Sequence, residues 1–366
     1  MINESRLLNT FLDYIQIDSE SRNEAAVAQR VAADLTALGC EVSFDDSMAK
    51  TGSNTGNLYA YLPGEGEPII FSAHMDTVVP GNGVKPVITD GVIRSSGDTV
   101  LGGDDKSGIA AVVEAIHVIT ESGLPHRPVQ AVFTVCEEIG LFGSKNADPA
   151  KLMAKQAVVL DSSGDAGKII TAAPGQYKFN LAVLGKRAHA GVAPEEGISA
   201  IQVACEAIAN MKLLRVDEET TANIGSIHAQ FPTNIVSDRC EIVAECRSRN
   251  NDKLAAQAEH MMDCFRTACE KYGATLEGEP ALSYVGYSMG AGDSLVKLVT
   301  DACAKAGLTP TIAASGGGSD ANVFNGLGIK AVNLGTGMAK VHTTSEEITI
   351  QNLNNTAELV LAIMTL

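Results

Sequence analysis

Apolar positions recur along the chain at two spacings, and the switches between them mark the elements. Residues 3–18 and 23–39 carry apolar side chains at helical spacing, and Gly39 ends the second run. Short β-rich runs follow at 41–44, 57–62 and 68–74. Residues 107–120 return to helical spacing. Runs 129–136, 156–161 and 168–172 read as strands. Strands that are apolar throughout belong in a sheet covered on both faces, and their alternation with helices predicts an α/β architecture.

The pattern changes near Pro174-Gly175. Residues 177–184 alternate as a half-buried strand. A helix at 198–213, strands at 224–230 and 241–247, a helix at 253–272 and a strand at 275–285 follow. That β-α-β-β-α-β order predicts a ferredoxin-like α+β domain. After Gly286 the α/β pattern resumes, with a helix at 294–306 and a strand at 331–334. The expected organisation is therefore a catalytic domain of residues 1–175 and 288–366 interrupted by an inserted domain of residues 176–287. No internal repeat is present.

Length agrees with this division, because 366 residues exceed what one core usually organises. With 45% hydrophobic and 19% charged residues, the chain is expected to fold throughout. Its net charge of −17 argues against a nucleic-acid partner, since an acidic surface repels phosphates. Acidity of this size serves solubility, or it holds cations; two Zn²⁺ would change −17 only to −13 (−17 + 4). The first residues, MINESRLLNTFLDYIQIDSE, lack the basic start and apolar core of a secretion signal. No apolar run reaches membrane-spanning length. Eight cysteines are scattered without a CxxC pair, as expected of reduced thiols in a cytoplasmic protein. Cys136 lies among acids that disfavour a thiolate, so it is not expected to be a nucleophile.

The chemistry gathers in five short polar clusters, most of them ending apolar strands. In open α/β sheets ligands bind outside the carboxyl ends of the strands. The first cluster holds His74 and Asp76. A turn between them would bring the Asp76 carboxylate to one ring nitrogen and leave the other for a metal; taken alone, the pair equally describes a hydrogen-bonded structural histidine. In Gly102-Gly103-Asp104-Asp105-Lys106-Ser107-Gly108, one aspartate can cap the helix that follows. The paired glycines fit a close approach to a site better, with Asp104 as a carboxylate bridging two cations. Glu137 and Glu138 end the strand at 129–136, where two acids are either solvated or divided between a metal ligand and a general base. Asp161 ends the strand at 156–161, and His342 follows the strand at 331–334. Five such clusters delivering zinc-type ligands to one sheet edge predict a metal centre. Elsewhere, Ser315-Gly316-Gly317-Gly318-Ser319-Asp320 reads as an anion nest or as a flexible turn.

In this order and spacing the motifs AHMDT, GGDDKSG, CEEIG, VLDSSG and VHTTSEE resemble those of the M20 metallopeptidase family, in particular its peptidase T group. The resemblance extends over the whole chain. It implies a zinc-peptidase-like catalytic domain with a mixed sheet flanked by helices, and a ferredoxin-like lid. It also implies two Zn²⁺ ions, with Co²⁺ or Mn²⁺ as alternatives. One ion would be held by His74, Asp161 and a bridging Asp104, the other by Glu138, His342 and the same Asp104. Glu137 would be the general base and acid, and Asp76 would orient His74. In the lid, His189 would help to hold the oxyanion, in some members across a dimer. Asn234, Arg247 and the Gly317-Gly318 loop would meet the substrate.

The implied activity is removal of the N-terminal residue from a short peptide, in the manner of a tripeptide aminopeptidase. An N-acyl-amino-acid amidohydrolase or a carboxypeptidase would use the same centre. A non-catalytic metal-binding protein would have no need of Glu137. A homodimer through the lid is a further implication of the resemblance.

Overall fold

The computed structural model describes residues 2–366. These divide into two compact units: the chain up to Ala172 with Met289–Ser315 and Ser319–Leu366, and Ala173–Ser288 with Gly316–Gly318.

The larger unit is built on a mixed sheet flanked by helices. From one edge its strands run Glu41–Phe44, Leu58–Leu62, Val129–Thr134, Ile69–His74, Gln156–Ser162, Lys330–Gly335 and Lys168–Ala173, and Thr311–Ala314 lies parallel to the last. The four central strands, Val129–Thr134 to Lys330–Gly335, are mutually parallel. Their carboxyl ends therefore share one edge. Every residue of Ile69–His74 and Val129–Thr134 is buried, which is why these strands are mostly apolar, with Ser72 and Gln130 buried among the apolar side chains. Helix Gly103–Ser122 packs against Ile69–His74 and Gln156–Ser162, and helices Glu4–Ile15 and Ile350–Met364 pack on it in turn. Its Ile109, Ala111, Val112, Ala115 and Ile116 are fully or almost fully buried, so an element covered on several sides shows little amphipathic contrast. Gly123 ends it in the left-handed conformation (φ +58°).

Some elements of this unit were not anticipated. Hairpin strands Pro86–Thr89 and Val92–Ser95 form a small sheet with Glu347–Thr349. Helix Ile350–Met364 carries three Asn within its first two turns, poor helix formers that mask its apolar second half. Ser319 caps the short helix Asp320–Gly326.

The smaller unit is an antiparallel sheet covered by helices Ala200–Ala209 and Asn251–Tyr272. Its order is Leu214–Arg215, Thr220–His228, Arg239–Ser248, Gly175–Leu184 and Thr275–Glu277, with Ala281–Tyr284 also on Gly175–Leu184. Along Arg239–Ser248 buried and more exposed residues alternate strictly; Cys240, Ile242, Ala244 and Cys246 join Phe179, Val183, Met261 and Phe265 in the core. The one long strand expected at 275–285 is two. Gly278 turns left-handed (φ +95°), where a Cβ would stand 2.4 Å from Asn180 O, and Pro280 lacks an N–H. Among the described residues no helix is long and apolar enough to cross a membrane. All eight cysteines are free.

Candidate metal centre

The carboxyl ends of the parallel strands collect the clustered residues in one place. His74 is the last residue of Ile69–His74 and is almost wholly buried. Its Nε2 lies 3.0 Å from Asp104 Oδ1 and 4.0 Å from Asp161 Oδ1. Its Nδ1 lies 2.9 Å from the backbone oxygen of Asp76 and 3.5 Å from that residue's carboxylate. The contact expected of the Asp76 side chain is thus shared with its main chain. Either contact leaves Nε2 facing the acids.

Asp104 stands where helix Gly103–Ser122 has not yet become helical: Asp104 and Asp105 have non-helical dihedrals, and Gly102 is left-handed (φ +76°). While one Asp104 oxygen faces His74, the other lies 3.2 Å from His342 Nε2. His342 Nε2 is also 3.1 Å from Glu138 Oε2. Two groups result, His74–Asp104–Asp161 and Asp104–Glu138–His342, each with ligand atoms within 4.8 Å of one another. Asp104 is common to both.

The electrostatics are those of crowded acids around two imidazoles. Burial and the neighbouring Asp104 push the Asp161 carboxyl well above the usual range. Burial, then Asp161, does the same to Glu137, and burial raises Glu138. Burial opposes protonation of His74, yet its bonds to Asp104 and Asp76 outweigh that and raise it. Hydrogen bonds that its ring donates to Asp104 and Glu138 lift His342 to about 10. Glu138 Oε1 is buried without a partner. Excess buried carboxylate, an orphaned oxygen and a donor set of hard oxygens with imidazole nitrogens fit divalent cations.

A frame of further carboxylates fixes the loop that holds Glu137 and Glu138. Strand Val129–Thr134 leads into Cys136, which adopts a left-handed conformation (φ +53°). The next peptide groups are each captured: Glu24 accepts from Cys136 N at 3.0 Å, and Asp76 accepts from Glu137 N at 2.9 Å and Glu138 N at 3.3 Å. Asp76 also accepts from Ser21 Oγ and Glu24 from Ser53 Oγ. Asn333 clasps the backbone of Asp161, accepting from its N and donating to its O. Glu24 and Asn333 carry no local signal of this role, since their partners are 112 and 172 residues away. The Cys136 thiol is pushed up to about 12 by burial and Glu24, in keeping with an inert cysteine.

In the smaller unit, His189 and Asn234 are exposed and adjoin: His189 bridges Ile235, and Ala190 N donates to Asn234 O. Gly191 N donates to His189 Nδ1 at 3.2 Å. Arg247 makes a two-pronged pair with Glu245, at 2.9 and 3.0 Å. Gly318 lies so close to Tyr284 that a Cβ would stand 2.3 Å from its ring. Gly316–Gly318 group with this unit while Ser319 and Asp320 group with the larger one. There Asp320 is buried and accepts from Ser144 Oγ and Thr134 Oγ1.

Comparison with known proteins decides the family. The chain is 47% identical to aminopeptidase PepT from Bacillus cereus, covering all of this chain and 98% of that one, with a TM-score of 0.94. A tripeptidase from Staphylococcus aureus is 41% identical, with coverage of 100% and 98% and a TM-score of 0.95. The uncharacterized protein YqjE of Bacillus subtilis is 46% identical across 100% of this chain and 99% of its own. The chain belongs to the M20 peptidase family, close to peptidase T. The profile of the M20 peptidase dimerisation domain matches residues 171–273 of this M20 peptidase. That of peptidase family M28 matches residues 57–202. As a member of the family it is a metal-dependent peptidase, a hydrolase.

Proposed function

We propose that this M20 peptidase removes the N-terminal residue from short peptides, tripeptides above all, with two Zn²⁺ ions. The observation that carries the two-ion reading is the pair of Asp104 oxygens facing two imidazoles in separate ligand groups. His74, Asp161 and Asp104 would hold one ion, and Glu138, His342 and Asp104 the other. Co²⁺ or Mn²⁺ would suit the same donors. When bound, such ions supply Lewis acidity to a substrate carbonyl and to the attacking water.

The side chains do the rest. Glu137 is buried beside the ligands and belongs to neither ligand group, so its carboxylate is available to take the proton of the attacking water. It then returns that proton to the departing amine nitrogen. Asp76 keeps His74 oriented while tying the Glu137 and Glu138 peptide groups to the same carboxylate. In the smaller unit we assign His189 to the oxyanion, and Asn234, Arg247, Gly317 and Gly318 to the substrate. The dimerisation-domain match supports a homodimer, and the free cysteines support a cytoplasmic setting.

N-terminal specificity is supported by the named activities of the Bacillus cereus and Staphylococcus aureus relatives. The test is a panel of di-, tri- and tetrapeptides, their N-acetylated forms, and N-acyl amino acids. Tripeptides with a free amino terminus are expected to be cut fastest, releasing the first residue. Faster turnover of N-acyl amino acids, or release of the last residue, would replace this reading by an amidohydrolase or a carboxypeptidase.

A further inference from the structure

The loop that carries Asp104 is wrapped around one side chain. Glu346 is 1% exposed. Its Oε2 accepts from Leu101 N at 2.8 Å and Gly102 N at 2.9 Å, and its Oε1 accepts from Asp104 N at 2.9 Å. The loop is shaped for this. Gly102 is left-handed, and a Cβ on Gly103 would stand 3.1 Å from Glu346 Oε1. Three backbone donors converge on its two carboxyl oxygens, so both oxygens serve as acceptors. Glutamine offers one oxygen and an NH₂ group, which would face a donor with a donor.

Glu346 also follows His342 by four residues, across a turn in which Glu346 N donates to Thr343 O. One short segment thus presents His342 to an Asp104 oxygen and grips the Asp104 backbone.

We propose that Glu346 is a positioning residue for both metal sites, setting the shared aspartate against His74 and His342 together. The inference rests on the reading of Asp104 as the common ligand. Each Asp104 oxygen faces a different imidazole, so a shift of its backbone withdraws one oxygen from each group at once. Losing Glu346 weakens both sites in step, whereas losing His342 directly removes a ligand from one.

The test is a titration of the metal-free protein with Co²⁺ and with Zn²⁺, followed by calorimetry and by the Co²⁺ absorption spectrum. Wild type, E346Q, E346D, H342A and D104N are compared, and circular dichroism and melting of the metal-free forms report folding. E346Q is expected to bind both ions about 10- to 100-fold more weakly, to lose kcat with little change in KM, and to regain turnover at high Zn²⁺. E346D should fall between it and wild type. E347Q is the control, because Glu347 pairs with Arg94 and Lys340 and is expected to bind both ions normally. A folded E346Q with wild-type affinity, or with only one site weakened, overturns the proposal. Should E346Q not fold, E346D is judged by the same criterion. If D104N itself binds two ions as wild type does, the underlying reading of Asp104 has failed instead.

Discussion

Glu137→Gln is expected to lower kcat by about 10²- to 10⁴-fold, the usual worth of a positioned general acid–base group, with KM and metal content near wild type. Glutamine keeps the shape of the side chain and removes its capacity to hold a proton. Because Glu137 belongs to neither ligand group, the loss should fall on the chemical step and not on binding. Steady-state kinetics on a tripeptide, paired with metal analysis of the same sample, checks this. Full turnover with both ions bound would remove Glu137 from the mechanism. Loss of one ion would make it a ligand. Its backbone N–H is held by Asp76 whatever the side chain, so the substitution should leave the loop in place.

Asp104→Asn is expected to abolish activity and to weaken both metal sites by well over the roughly 100-fold typical of an outer-shell change. The amide keeps one carbonyl oxygen and presents NH₂ where the other imidazole waits, so one group loses a ligand and the second loses charge. Thermal melts give a second readout. Ions at one hundred times their dissociation constant should stabilise the wild-type protein by about 2.7 kcal/mol per site, and this gain should vanish in D104N.

Without metal, pH adds a signed expectation. His342, lifted to about 10, contributes stability that is complete below the unfolded histidine value of about 6.5 and is lost as pH rises through about 10. His74 is raised and acts in the same direction. Asp161 and Glu137 are raised as well, so they favour the fold when protonated and disfavour it as pH climbs through their raised values. Asp104 is lowered, and its contribution is lost only in acid. The metal-free protein should therefore melt lower as pH rises from neutral towards alkaline. Added Zn²⁺ should reverse the trend, because ligands bind it as neutral imidazole and ionised carboxylate. A metal-free melting temperature that climbs over that range would contradict this account of the acid cluster.

The frame around these residues is built from the same material as the centre itself. Glu24, Asp76 and Glu346 are buried carboxylates whose partners include backbone N–H groups, seven in all counting Arg22. A carboxylate satisfied by fixed peptide donors cannot swing without leaving those donors unpaired, and each buried unpaired donor costs about 1–3 kcal/mol. Rigidity at the ligands is thus obtained from loops, where main-chain donors are not already spent on helix or strand.

Much of this was legible from local pattern. Apolar runs closing on His74, Glu137-Glu138 and Asp161 located the strand ends, because a strand buried on both faces rarely admits a charged side chain before it leaves the sheet. Alternation at 177–184 likewise announced a half-buried strand, and those residues lie in Gly175–Leu184 of the smaller unit's sheet. What tertiary structure alone decided is how those ends meet. Asp104 faces two histidines because a left-handed glycine and a distant Glu346 turn its loop, 242 residues apart in the chain. The break at Gly278, the frame residue Glu24 and the clasp of Asn333 follow from close approach between segments far apart in sequence. Periodicity reports which side of an element is buried; it carries no record of which backbone N–H a buried carboxylate will find.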